Sequence, residues 1–267
     1  VNRIHSVTHL GAYISAFSEA LKEFGNEIHG IHGLNTKGNG WIAAFPNPNC
    51  SIQLSKEGDT APVGGQNDIV TEEFESAADE KPNEFDFLGK GIDGGFRIAR
   101  NSSIDTFTIS PALAYLLCKA KKNSDMTNFE CDFLFHETQS LKGVVSGRHY
   151  PIVSIDTNRD SAQREIEKLQ ADLLKQPTIA EWEQLMEYLE KYISYNGIEE
   201  PQLKISANSA AIDPPEHYQQ YLKDWEAVAK DLDNSQALEA EAASQEGGVA
   251  DDPLEEASAA VDKLVKS

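Results

Sequence analysis

The sequence predicts an α/β fold of the α+β kind: a mixed or antiparallel sheet with helices through residue 157, then a helical C-terminal appendage. Two observations predict it. Up to Asp156, helical spacing of apolar residues alternates with short strand-like runs bounded by Gly and Pro; after Asp156 only helical periodicity remains. Val7, Leu10, Ile14, Phe17, Leu21 and Phe24 recur at three and four, so the chain opens on a helix, which Gly25 is expected to stop. Residues 28–33 and 41–45 read as a hairpin around a turn at 35–40. Residues 46–56 break the strand pattern, with room for a short amphipathic element, and 57–82, rich in Gly, Asp and Glu, read as a surface loop or partly disordered insertion. A short strand at 85–88 leads into a helix opening near Ile92. Residues 107–110 follow as a strand and 111–121 as a helix with Pro in its first turn. Residues 129–138 and 150–155 read as strands with Lys142 between them.

In the appendage, Ser161–Leu174 reads as a charged helix. Thr178-Ile179-Ala180-Glu181 has the form of a capping box opening a second helix to about Tyr195, with Trp182, Met186, Leu189 and Ile193 as a packing stripe. Pro214 and Pro215 open a third, with Tyr218, Tyr221, Leu222, Trp225 and Val228 as its stripe. Residues 231–267 hold ten acids against Lys263 and Lys266, a balance of 10 − 2 = 8 negative charges, and are expected to pack poorly without a partner. The expected units are 1–157, the main domain; 158–232, the helical appendage; and 233–267, an acidic, flexible tail.

Composition narrows the partners. The chain has 267 residues and a net charge of −21, which repels nucleic acid and anionic membrane at long range. Cys50, Cys118 and Cys131 form no Cys-x-x-Cys pair, so neither a disulfide framework nor a zinc site is indicated, and a reducing cytoplasm is expected. The longest apolar run, 111–118, is far short of the ~20 residues that span a bilayer, and no signal peptide is read before it. His29 and His32, on the expected strand, would point to opposite faces, which argues for ordinary surface histidines over a metal pair.

The densest chemistry is Asp86-Phe87-Leu88-Gly89-Lys90-Gly91-Ile92-Asp93-Gly94-Gly95-Phe96-Arg97, two carboxylates and a guanidinium around a glycine-rich turn. Arg97 follows Asp93 by four residues, which on a helix places both on one face, one turn apart. Taken alone, the pair suits an exposed helix as well as a ligand site.

The order Asp, Gly, aliphatic, polar, then Arg four later resembles the signature of class III nucleotidyl cyclase catalytic domains. Other stretches fit in register. Thr36-Lys37-Gly38-Asn39-Gly40-Trp41-Ile42-Ala43-Ala44-Phe45 resembles the family's hairpin with its Gly-Asp turn. Asp105-Thr106-Phe107-Thr108-Ile109-Ser110 and the apolar run after it resemble the strand-Ser-helix unit, and Leu141-Lys142-Gly143-Val144 the late strand whose lysine holds phosphates. The resemblance covers about residues 5–156 and implies a ferredoxin-like core. It also places a strand bearing a metal-binding Asp just before the opening helix, so the sequence is expected to begin one strand late.

What the resemblance implies is conversion of a ribonucleoside triphosphate to a 3′,5′-cyclic nucleotide and pyrophosphate, with Mg²⁺ or Mn²⁺. Arg97 would act on the α-phosphate and Lys142 on the terminal phosphates. Asp93 stands where the family has a ribose-orienting Asn, and when ionised it can accept a hydrogen bond but not donate one. Asp86 would read the base edge. Asn35 replaces a base-selecting lysine, and Asn39 replaces a metal-binding Asp, bringing a neutral oxygen where the family has a charged one. These departures resemble the pyrimidine cyclases of bacterial Pycsar antiphage systems, which make cyclic UMP or cyclic CMP. An ordinary adenylyl cyclase and a catalytically dead, nucleotide- or partner-binding regulator are the alternatives. Family sites form between two domains, so a homodimer with shared sites is expected, a heterodimer with a metal-competent partner being the other arrangement. Trp41, beside the turn, suits core packing better than base stacking.

Overall fold

The computed structural model describes residues 6–45, 49–54, 77–78, 80–123, 128–144, 147–175, 179–210 and 212–213, together with helical positions at 218–220, 223 and 227. It is a mixed α/β fold. Helix α1 (Val7–His32) leads to the short strand β1 (Asn39–Gly40). The strands β2 (Asn49–Gln53) and β3 (Phe85–Gly89), helix α2 (Lys90–Ile98), strand β4 (Thr106–Ile109) and helix α3 (Pro111–Lys122) follow. Strands β5 (Phe133–Ser140) and β6 (His149–Asp156) then precede helices α4 (Ser161–Leu174) and α5 (Trp182–Asn196).

The main sheet runs β1-β4-β6-β5, with β1 parallel to β4 and the other neighbours antiparallel. Strand β6 therefore lies between β4 and β5, which α3 connects: a split β-α-β unit. Strands β2 and β3 form a separate antiparallel pair.

Alternation along the strands sorts the core into two sides. Phe107 and Ile109 of β4, Val153 and Ile155 of β6 and Phe133 of β5 share one buried cluster with α1, α3 and α5. On the other side Tyr150 and Ile152 pack with Ile98 of α2 and Val144, flanked by Leu141. Helix α5, in the appendage by sequence, contributes Leu185, Leu189, Tyr192 and Ile193 to the main core, with Trp182 and Met186 packed against it. Cys50, Cys118 and Cys131 are free thiols, and burial pushes the Cys118 and Cys131 thiols up to about 12. Among the described residues no helix is long and apolar enough to cross a membrane.

Several local expectations are corrected. Helix α1 does not stop at Gly25 but runs to His32, where Gly33 caps it. A Cβ on Gly25 would fall 1.8 Å from the Arg159 guanidinium and 2.7 Å from Thr36 Oγ1. The glycine leaves space for packing groups, and tertiary contact overrides a propensity cost of about 1 kcal/mol relative to Ala. Residues 28–32 are thus helical, and the expected hairpin is absent. The short strand at 39–40 pairs with β4 instead. His29 and His32 now lie one turn apart and both are exposed; among the described residues no group of three or more potential metal ligands converges.

Residues 49–53, within the expected strand break, form β2. The first residues of the expected strand at 129–138 are irregular, and the strand proper is Phe133–Ser140. Helix α5 begins at Trp182 with Glu181 at its N-cap, not at a capping box: Ala180 is held in a bridge to Phe133, which delays the helix. Thr178, most of 57–82, Pro214, Pro215 and 228–267 lie outside the described residues.

Candidate functional site

The glycine-rich segment forms a strand, a turn and a helix. Asp86 lies on β3 opposite Ile52 and is exposed, its carboxylate accepting from the backbone N–H of Phe87 at 2.8 Å. Gly89 ends the strand with φ +143°, and a Cβ there would lie 2.7 Å from the Asn49 backbone, so a side chain is excluded by conformation and by space. Asn49 holds the turn. It is 2% exposed, donates to the Ala44 carbonyl at 2.8 Å and accepts from the Gly91 N–H at 2.9 Å. The sequence reading missed this residue; the Ser51-Ile52-Gln53-Leu54 alternation beside it was the available signal.

On α2, Arg97 Nε donates to Asp93 Oδ2 at 2.7 Å, at the expected spacing of four. Both side chains remain accessible, 36% and 48% exposed, so the pair is ordered without being sealed from a ligand. The hydrogen bond to Asp93 raises the guanidinium pKa further, and Arg97 stays charged at any working pH.

Helix α2 sits between two other sequence-predicted segments. On one side, a Cβ on Gly95 would fall 2.1 Å from the Trp41 indole, whose ring also packs 5.2 Å from Phe96. Trp41 is therefore a half-buried spacer that seats the segment after β1 on the helix. On the other side, the Leu141–Val144 turn approaches. A Cβ built on Gly143 would stand 3.9 Å from both Arg97 Nη2 and Asp93 Oδ2, and one on Gly94 would stand 3.8 Å from Val144. Gly143 has φ +80°, a turn conformation glycine adopts without strain. Lys142, exposed, is the residue before Gly143 on this turn. Asn35 is exposed on the connection after α1, and among the described residues neither it nor Asp86 is hydrogen-bonded or ion-paired to the Asp93–Arg97 pair.

Asn39 is half-buried on β1 in register with Thr108, so the two share a face of the sheet. Beyond Thr108 the row continues as hydrogen bonds: Thr108 Oγ1 to Ser154 Oγ at 3.1 Å, and Ser154 Oγ to His136 Nε2 at 3.1 Å. Thr108 and Ser154 are fully buried. Desolvation lowers the His136 pKa, so the folded chain resists protonation that the unfolded chain accepts near the ordinary value of about 6.5. More protons bind the unfolded state there, so stability falls as pH drops below that value. Replacing His136 with Gln is expected to flatten this decline, read as urea midpoints at a series of pH values between about 7 and 5. An unchanged pH profile would assign the decline to other groups.

The arrangement offers the Asp93–Arg97 pair against the turn that carries Lys142, with Asn39 at the end of a polar row on the sheet. Asn39 alone is a poor donor set for a divalent metal, which favours several oxygen ligands including carboxylates. What the cations can do is bind and orient a polyanion and meet charge that develops on it. Comparison of the chain with family models, with curated proteins and with solved structures finds no match.

Proposed function

We propose that the chain is a class III-type nucleotidyl cyclase domain that converts a ribonucleoside triphosphate, UTP or CTP in preference to ATP, to a 3′,5′-cyclic nucleotide. The observation that carries this reading is the approach of the Lys142–Gly143 turn to the Asp93–Arg97 pair, which unites two segments distant in sequence in the order the resemblance requires. In the reaction the ribose 3′-oxygen attacks the α-phosphorus and pyrophosphate leaves; positioning and charge stabilisation supply most of the catalysis. Arg97 meets the charge growing at the α-phosphate and Lys142 holds the terminal phosphates. Asp93 orients both Arg97 and the ribose. Asp86 and Asn35 are the base-reading positions. Mg²⁺ or Mn²⁺ would supply charge neutralisation of the phosphates, and Asn39 by itself would not hold it. The working form is a homodimer with shared sites, acting in the cytoplasm as the signal-producing half of an antiphage response.

A second reading rests on Asn39. A neutral residue at the metal position suits a cyclase-like domain that binds a nucleotide or a partner without turnover. Both readings are tested by titrating the chain with ATP, GTP, CTP and UTP in the presence of Mn²⁺ by calorimetry and assaying cyclic products by mass spectrometry. UTP or CTP is expected to bind at least as tightly as ATP, and Asn39→Asp to raise product formation strongly with little change in binding. Binding without product in either form selects the regulator; failure of all four nucleotides to bind removes the enzyme and the nucleotide-binding regulator alike.

A further inference from the structure

Helix α4 turns its apolar stripe away from the protein. None of its residues is buried; Glu167 and Ala171 are half-buried and the rest are exposed. At 100° per residue Ala162, Ile166, Leu169 and Leu173 fall within about 60° of one another, on the side opposite Glu167 and Ala171. Ile166 is 57% exposed, Leu169 58% and Leu173 85%. The helix is attached by its polar side: Arg164 Nη2 donates to the Asn158 carbonyl at 3.0 Å and pairs with Asp156 at 3.1 Å, and Asn158 Nδ2 donates to Glu167 at 3.3 Å. Asp160 caps its start through the N–H groups of Ala162 and Gln163. A helix of 14 residues is marginal on its own propensity, so an outward apolar stripe held in place by caps and polar ties is a surface built to be covered.

Charge decides what covers it. Glu165 and Asp172 border the stripe on one edge, with Lys168 behind them, and uncharged Gln163 and Gln170 border it on the other. A second copy paired antiparallel would set the two acidic edges against each other, on chains that each carry −21. The chain's own residues 231–267 bring ten acids and two lysines, which the same edge repels. An anionic membrane surface is disfavoured for the same reason. We infer that α4 docks a basic amphipathic helix of another protein, which packs apolar residues on Ile166, Leu169 and Leu173 and sets Lys or Arg beside Glu165 and Asp172. The surface shares no residue with the Asp93–Arg97 site.

The test uses the full chain and a fluorescein-labelled helical peptide with Leu at heptad a and d positions and Lys elsewhere, followed by anisotropy. Saturable binding is expected, weakening as salt rises. Leu169→Gln with Leu173→Gln is expected to weaken it roughly tenfold or more with an unchanged circular dichroism spectrum. Glu165→Gln with Asp172→Asn is expected to reduce the salt dependence. Equal binding to the Leu169→Gln, Leu173→Gln variant would overturn the proposal, because the peptide would then be meeting only the general acidity of the chain. It would also be overturned if that variant abolished self-association seen by sedimentation, cross-links from Lys168 to Lys263 or Lys266, or co-sedimentation with phosphatidylcholine–phosphatidylglycerol vesicles. Those outcomes assign the stripe to a second copy, to the chain's own C-terminal segment and to a lipid surface respectively.

Discussion

In an active Asn39→Asp background, Arg97→Ala is expected to lower the rate of cyclic product formation by roughly 10²–10³-fold while changing triphosphate affinity only a few-fold. Arg97 is held by the 2.7 Å bond to Asp93, remains charged, and lies beside the Gly143 turn, so its donors are oriented before any ligand arrives. An oriented cation acts where charge grows in the transition state, and its removal falls on kcat. Lys142 is exposed and carries a flexible point charge, so Lys142→Ala is expected to weaken binding of the triphosphate as well as turnover. Arg97→Lys should recover only part of the rate, since an ammonium cannot reproduce the planar fork. Mixing an Arg97→Ala chain with an Asn39→Ala chain, both otherwise competent, should restore part of the activity if sites are shared across a dimer. Steady-state kinetics with UTP, CTP and ATP decide the matter. If Arg97→Ala raises only KM, Arg97 is a ground-state binding group and its assignment to the transition state is wrong.

The parts of this fold that were legible in sequence are those where one local rule acts alone. Helix α4 was bounded as read, because its charged periodicity and the Asp160 cap are local. The β3–α2 and β4–α3 units were legible from short apolar runs followed by Gly or Pro. Helix α1 was misread because Gly25 looks like a stop, and only the Arg159 and Thr36 side chains packed at it explain why the helix continues. Strand β2 was missed because proline-rich sequence precedes it and its partner β3 lies more than thirty residues away. The start of α5 was displaced by a bridge to β5 that no local pattern encodes. At the candidate site, the Asp93–Arg97 pair followed from helical spacing, and the neighbouring Lys142 turn from a resemblance in segment order. The latch at Asn49 was not legible, since its role depends on meeting Gly91 across an insertion.

Phe107→Ala is expected to destabilise the fold by about 3–5 kcal/mol, the cost of emptying a buried aromatic site. Phe107 is 1% exposed, with its ring 5.1 Å from that of Phe17, and it belongs to the cluster that joins the sheet to α1, α3 and α5. It also supports the candidate site from beneath. A Cβ on Gly38 would lie 3.2 Å from the Phe107 ring and one on Gly40 2.9 Å, so the backbone on both sides of Asn39 rests directly on it. Strand β1 has two residues and is paired through β4, leaving it little else to fix its position. The melting temperature is therefore expected to fall by roughly 6–20 °C in calorimetry. Phe107→Leu, which keeps most of the volume, should cost much less. At a temperature where Phe107→Leu is still folded, exchange of the Asn39 and Gly40 amides should quicken ahead of those in β6, because the small ladder loses its support before the central strand does. Uniform quickening across the sheet would show that Phe107 serves global stability alone and that β1 is held by other contacts.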